Sequence, residues 1–119
     1  MELSLERVEL RFVRPLATAY GLLHSRELVE IALTGDDGLT GHGEAAPLEP
    51  YDGVPIERVL TALESYRRVL AEPLAPGVTA LDACRAADEL PQALAAIDLA
   101  LWDLGGRRAA LPPGGTIEL

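Results

Sequence analysis

The stretch Thr40–Gly53, TGHGEAAPLEPYDG, carries glycine at alternate positions and then a proline-rich loop with a single tyrosine. Gly41, Gly43 and Ala45 would share one face of a strand, because successive side chains point to opposite faces. A strip without side chains lets another backbone approach closely, and a packed helix is the simplest candidate. The glycines therefore predict helix packing rather than a phosphate-binding loop.

Two strands are predicted before this stretch. The first alternates apolar and polar residues but changes phase, which predicts a β-bulge near Glu6 and Arg7. The segment after it has no clear period and is predicted to be a long loop. An Asp-Gly turn then joins the second and third strands as a hairpin. The predicted bounds are 2–13, 26–34 and 39–46 for the strands, 15–25 for the loop and 35–38 for the turn.

Three helices are predicted to follow. Asp52 would cap the first, with Pro55 in its first turn. Thr79 or Asp82 would start the second, which ends near Leu90. Pro91 opens the third, where Trp102 either widens the apolar core stripe or belongs to a docking face, and Gly105-Gly106 weakens the end. The core stripe of the third helix is Leu94, Ile97, Leu101 and Leu104. Three antiparallel strands followed by three helices make an α+β layer.

Composition narrows the class of protein. The chain has 119 residues, enough for one core, and 49% of them are hydrophobic, so it should fold. The formal charge of −9 argues against a nucleic-acid partner, which needs a basic face. The ten cationic side chains are all arginine. A single cysteine, Cys84, and the absence of a signal-peptide pattern or a long apolar run predict a cytoplasmic protein without a membrane span.

Two motifs in the right order carry a family resemblance. The hairpin GDDGLTGHGEAAP with the step Tyr51-Asp52-Gly53, and the helix AIDLALWDLGGRRAALP (96–112), resemble the N-terminal capping domain of the enolase superfamily. The nearest branch contains muconate lactonizing enzyme, o-succinylbenzoate synthase and dipeptide epimerase. The resemblance implies a capping domain over residues 1–112, with 113–119 as an exit segment or tail.

The resemblance implies a catalytic partner that this chain lacks. Family members place the cap over a C-terminal (β/α) barrel, which binds Mg²⁺ and carries lysine or histidine acid/base groups. Their reaction starts with removal of a proton next to a carboxylate, and the metal stabilises the enediolate. A barrel needs roughly 250 residues, so the 119 residues here hold none of it. We therefore expect no catalytic residue and no metal site in this chain, which alone should be inactive.

The same resemblance implies two loops that close over a small carboxylate substrate. The first corresponds to Pro15–Gly21, with Thr18 and Tyr20 facing the substrate. The second corresponds to Pro47–Tyr51, which adds Leu48, Glu49 and Tyr51. Tyr51 has an alternative role, since it could simply cover the start of the following helix.

Other polar residues are expected to have structural roles. Glu44 would pair with Arg14 or Arg26 rather than act as a general base. Asp98 and Asp103 lie five residues apart on one helix, which is a poor spacing for one ion, so they are expected to face solvent or to pair with Arg107 or Arg108. The remaining candidates are His24 and His42, expected to be ordinary histidines rather than metal ligands, and Cys84, expected to be buried rather than nucleophilic.

Two further functions compete with the cap. One is a stand-alone α+β module for binding or oligomerisation, because a cap without its barrel exposes an apolar docking surface. Self-association into a homo-oligomer follows from that exposure. An independent enzyme is disfavoured, since the chain has neither lysine nor a nucleophile–base pair.

Overall fold

The computed structural model describes residues 1–110, and the predicted tail 113–119 lies outside the described residues. The described part contains a three-stranded antiparallel sheet in the order β1-β2-β3, followed by helices. This architecture confirms the predicted α+β meander, with one unpredicted helical turn, α1. The elements are β1 (Glu2–Thr18), β2 (Gly21–Thr34), β3 (Thr40–Ala45), α1 (Glu49–Asp52), α2 (Ile56–Ala71), α3 (Ala80–Ala87) and α4 (Pro91–Ala110).

The β1–β2 hairpin is much longer than the sequence pattern predicted. The predicted loop 15–25 is wrong, because β1 extends to Thr18 and β2 begins at Gly21. The predicted bulge near Glu6 and Arg7 is also wrong, since the strand register is continuous until a shift between Arg11 and Leu16. The change of phase has another origin: the two apolar sets face opposite sides of the sheet.

The core lies between one face of the sheet and the helices. Leu3 pairs with Leu33 across the β1–β2 ladder, and both side chains are buried on this face. The main stabilising term for such a layer is the removal of apolar surface from water, which contributes about 25 cal/mol per Å². The fully buried large side chains are Leu3, Val29, Ile31 and Leu33 from the sheet, Val59, Leu63, Tyr66 and Leu70 from α2, Cys84 from α3, and Ile97 and Leu104 from α4.

The glycine strip of β3 packs directly on α4, as predicted. A Cβ atom at Gly41 would lie 2.1 Å from the carbonyl oxygen of Ala100. The equivalent atom at Gly43 would lie 2.2 Å from the carbonyl oxygen of Ala96. Real Cβ atoms do not approach oxygen this closely, so only glycine allows this strand–helix distance.

The helix boundaries differ from the prediction in several places. Thr79 is the N-cap of α3, and its hydroxyl accepts a hydrogen bond from the Asp82 N–H at 3.1 Å, so Thr79 rather than Asp82 begins this helix. The helix ends at Ala87, before the predicted Leu90. The residue that precedes α2 is Pro55, so Asp52 does not cap it. Finally, α4 continues through both of its glycines to Ala110.

Two predicted side-chain placements change as well. Trp102 is 75% exposed, so it does not widen the core stripe. Arg26 donates to the carbonyl oxygen of Ala46 at 2.8 Å, and among the described residues neither Arg14 nor Arg26 forms an ion pair with Glu44. The β2–β3 register puts the exposed Glu44 opposite Glu30, another acid.

Candidate functional site

The end of the β1–β2 hairpin is a tight turn built around Thr18. The Thr18 hydroxyl donates to the carbonyl oxygen of Gly21 at 2.8 Å and accepts from the Tyr20 N–H at 3.2 Å. Gly21 has a φ of 116°, a region that favours glycine because it has no Cβ. The turn presents the Tyr20 side chain outward, 63% exposed.

A second small structure, the α1 loop (Pro47–Gly53), is held by Asp52. Its carboxylate accepts hydrogen bonds from the Leu48 N–H at 3.1 Å and the Val54 N–H at 2.9 Å. The hydrogen bond from Val54 is the main reason that the pKa of Asp52 lies below its ordinary value. Gly53 ends the turn with a left-handed φ of 71°. Asp52 therefore fixes the shape of the loop that carries Tyr51.

The hairpin turn and the α1 loop meet through two aromatic rings. The ring centroids of Tyr20 and Tyr51 are 6.2 Å apart, with an interplanar angle of 85°. This edge-to-face geometry is a favoured arrangement for aromatic pairs. Both rings remain largely exposed, at 63% and 73%. The structure thus brings together two segments that are 31 residues apart in the sequence, and it leaves their outer surface free.

A small pocket of about 60 Å³, here called the cap pocket, lies beside this contact. Thr18, Tyr20 and Leu48, three of the predicted site residues, line it, and Tyr51 adjoins it through Tyr20. The full lining is Thr18, Tyr20, Gly21, Leu22, Leu23, Leu48 and Pro50.

One predicted site residue lies elsewhere, and two lining residues were not predicted. Glu49 lines a different cleft of about 230 Å³, together with Arg26 and Glu27. Leu22 and Leu23 were missed because they fall in the segment that was interpreted as an irregular loop. The available signal was the pair of adjacent leucines directly after a glycine turn, which puts both of them at the end of the hairpin.

The other polar candidates do not assemble a reactive centre. Asp103 accepts hydrogen bonds from the His42 N–H at 2.8 Å and from Arg107 Nε at 3.2 Å, which confirms the predicted pairing with Arg107. Cys84 is fully buried, and the loss of solvent raises the pKa of its thiol to about 12, so no thiolate forms near neutral pH. Among the described residues, no group of three or more His, Cys, Asp or Glu side chains is placed to hold a metal ion.

An exposed apolar surface, here called the Trp102 face, follows the outer side of α4. It forms a groove of about 420 Å³ with a mostly apolar lining. Trp102 on this side is 75% exposed. The groove is lined by Asp98, Leu101, Trp102, Gly105, Gly106 and Ala109. Within residues 1–110, no helix combines the length and the apolar character needed to cross a membrane.

Comparison with known proteins places this geometry in context. Residues 2–113 match the family profile described as mandelate racemase / muconate lactonizing enzyme, N-terminal domain. A curated relative, L-Lys-D/L-Arg epimerase from Desulforapulum autotrophicum, is 30% identical over 93% of this chain and 32% of its own length. The chain therefore spans about a third of the length of this relative.

Two solved structures have the same fold as the described chain. Dipeptide epimerase from Enterococcus faecalis V583, complexed with Mg and L-Leu-L-Tyr, superposes with a TM-score of 0.80 at 24% identity, covering 93% of this chain and 32% of that one. Dipeptide epimerase from Cytophaga hutchinsonii, complexed with Mg and D-Ala-L-Val, gives 0.79 at 20% identity, covering 92% and 30%.

Proposed function

The chain belongs to the mandelate racemase/muconate lactonizing enzyme family as its N-terminal domain, and from this premise we propose that it is the substrate-capping and specificity domain of an isomerase or lyase. The catalytic residues would lie in a C-terminal barrel domain. The parent reaction would be removal of a proton next to a carboxylate, with dipeptide epimerisation favoured among the family's reactions. The names of the similar epimerases support that preference.

The observation that carries the proposal is the contact between Tyr20 and Tyr51. It holds the hairpin turn against the α1 loop while the outer surface of both segments stays open. Loops fixed on a rigid scaffold are the usual place for substrate recognition, because they vary without disturbing the core. Each of these loops is fixed internally, one by Thr18 and the other by Asp52.

The residues of this chain do not fit a Mg²⁺ site. Mg²⁺ requires oxygen ligands in near-octahedral geometry, and no group of three or more suitable side chains occurs in the described part. The chain also has no lysine to serve as an acid/base group. We therefore assign metal binding and proton transfer to the barrel domain and expect no turnover by residues 1–119 alone.

The barrel domain would dock on the Trp102 face. This face adjoins the C-terminal end of α4, the point from which a following domain would continue. The relatives extend for about twice the length of this chain beyond the matched third, which is enough for such a domain. Gly105 and Gly106 carry no side chain at this surface, so a partner backbone can approach closely.

The test compares this chain with the longer protein that its gene is expected to encode. The reading frame past codon 119 should encode eight βα units, and the longer protein should exchange the α-proton of a dipeptide for deuterium when Mg²⁺ is present. Residues 1–119 alone should show no exchange above buffer. A frame that stops at codon 119 with no neighbouring barrel gene, or exchange by the short chain, would contradict the proposal.

A second function, a stand-alone α+β module that oligomerises, is favoured by one observation. Trp102 exposes 75% of its surface on an apolar groove, and exposed patches of this kind mark interaction sites. A second copy of the chain would then occupy the Trp102 face.

In either case we place the protein in the cytoplasm, since a single buried thiol suits a reducing compartment.

A further inference from the structure

We propose that the cap pocket selects a substrate that presents an uncharged aliphatic side chain, an inference that rests on the proposed capping function. Three features support it: the chemistry of the pocket lining, the positions of the nearest charged groups, and the internal hydrogen bonds of Thr18.

The lining of the cap pocket contains no charged side chain. Leu22, Leu23, Leu48 and Pro50 supply aliphatic surface, and Tyr20 supplies an aromatic edge. A volume of about 60 Å³ corresponds to roughly two water molecules, enough for a short aliphatic chain. Burying such a chain against these residues is favourable, because apolar surface leaves water.

Neither Asp52 nor Glu49, the carboxylates closest in sequence, lines the cap pocket. Both oxygens of Asp52 accept backbone hydrogen bonds, from Leu48 and Val54. Glu49 lines the adjoining cleft, which shares Leu48 with the cap pocket and also contains Arg26 and Glu27. A cationic substrate side chain in the cap pocket would therefore lose water and find no carboxylate in the lining to pair with, which is unfavourable.

The hydroxyl of Thr18 is also engaged. It donates to the carbonyl oxygen of Gly21 and accepts from the Tyr20 N–H, so both of these interactions stay within the turn. Thr18 is thus a positioning residue for Tyr20 rather than a group that recognises a polar substrate. The other polar side-chain groups at the pocket and beside it, the hydroxyls of Tyr20 and Tyr51, lie on exposed rings.

The experiment measures kcat/KM of the longer gene product for three dipeptides by α-proton exchange with Mg²⁺ present. L-Ala-L-Val, L-Lys-L-Lys and L-Glu-L-Glu carry aliphatic, cationic and anionic side chains at both positions, so the result does not depend on which position faces the cap. We expect kcat/KM for L-Ala-L-Val to exceed both others at least tenfold. A smaller ratio, or a preference for either charged dipeptide, overturns the inference while leaving the capping function intact. Exchange with none of the three overturns the proposed dipeptide reaction and this inference with it.

A paired variant tests whether the cap pocket causes the preference. Leu22 is 65% exposed, so Leu22→Glu adds a carboxylate to the lining without disturbing the core. The ratio of kcat/KM for L-Ala-L-Val over L-Lys-L-Lys should fall at least tenfold in this variant. Leu74→Glu, at a 37% exposed leucine outside the pocket, should leave the ratio unchanged. Equal ratios in both variants would show that the pocket does not select the substrate.

Discussion

A Cβ atom on Gly43 would lie 2.2 Å from the carbonyl oxygen of Ala96, so β3 and α4 meet backbone to backbone. Gly43→Ala must therefore push the strand and the helix apart. Overpacking of a core usually costs about 1–3 kcal/mol, and a clash with backbone should fall at the upper end. Urea unfolding followed by circular dichroism measures the free energy directly.

Gly105→Ala is the matched control for this substitution. Nothing lies within 4 Å of a Cβ atom at Gly105, and the residue is inside α4. Alanine in a helix is favoured over glycine by roughly 0.5–1 kcal/mol, so this variant should be more stable than the wild type. If Gly43→Ala is as stable as the wild type, the direct packing of β3 on α4 is wrong.

The packing of β3 and the length of the hairpin show where the sequence was informative. Alternate glycines in a strand have one strong physical explanation, close backbone approach, and the helix predicted opposite them exists. The distal hairpin offered no such constraint. Val13 and Leu22 are 102% and 65% exposed. No buried face imposes a period-two pattern there, so the apolar pattern does not reveal the strand pairing.

The candidate site was predictable only in part for a related reason. Family resemblance indicated the two loops, but the contact between Tyr20 and Tyr51 depends on the reach of the extended hairpin. Glu49 was placed in the site because it lies in the same loop as Tyr51. Successive side chains of a helix point about 100° apart around its axis, so neighbouring residues of α1 need not face the same pocket.

The turn at Thr18 predicts different effects for two substitutions. Thr18→Val removes the hydroxyl that bridges Gly21 and Tyr20 and should increase hydrogen exchange at the Tyr20 amide several-fold. Thr18→Ser keeps the hydroxyl and should exchange at close to the wild-type rate. Exchange measured by NMR on residues 1–119 distinguishes the two. Identical exchange in the two variants would mean that the hydroxyl does not hold the turn.

The ion pair between Arg58 and Asp88 should make stability depend on pH. Arg58 contacts both oxygens of Asp88, at 2.7 and 2.6 Å, and its hydrogen bonds lower the pKa of that carboxyl. A carboxyl whose pKa is lowered in the folded state stabilises the fold fully at pH values above its unfolded-state pKa of about 3.9. This stabilisation is lost as the pH falls through the folded-state pKa. The contribution should therefore be present at pH 7 and disappear in strong acid.

Arg58→Met tests this dependence. The variant should be less stable than the wild type at pH 7, and the difference should shrink when urea unfolding is repeated below pH 3. The Asp88 carboxyl, followed by ¹³C NMR, should titrate at a higher pH in the variant. Arg85→Met breaks the exposed ion pair between Arg85 and Asp82, which lie one helical turn apart, and should have little effect on stability at either pH. A stability difference that stays constant between pH 7 and pH 3 would contradict the assignment.

Burial of Cys84 predicts an unreactive thiol. The residue is fully buried and its pKa is raised to about 12, so both access and thiolate formation are suppressed at pH 8. Native protein should react with iodoacetamide far more slowly than protein unfolded in about 6 M guanidinium chloride, a concentration that unfolds even very stable domains. Mass spectrometry of timed aliquots measures both rates. Comparable rates would mean that the α3 side of the core opens readily.

The Trp102 face predicts that residues 1–119 associate with themselves when no barrel domain covers it. Trp102 exposes apolar surface beside a groove, and covering it removes that surface from water. Sedimentation velocity should show weight-average mass rising with concentration for the wild type. Trp102→Glu should remain a monomer, because two copies would then bury unpaired carboxylates. Val78→Glu, at a 40% exposed position away from this face, should associate like the wild type. A wild-type chain that stays monomeric at high concentration, or a Trp102→Glu variant that associates equally well, would rule out this face as the contact surface.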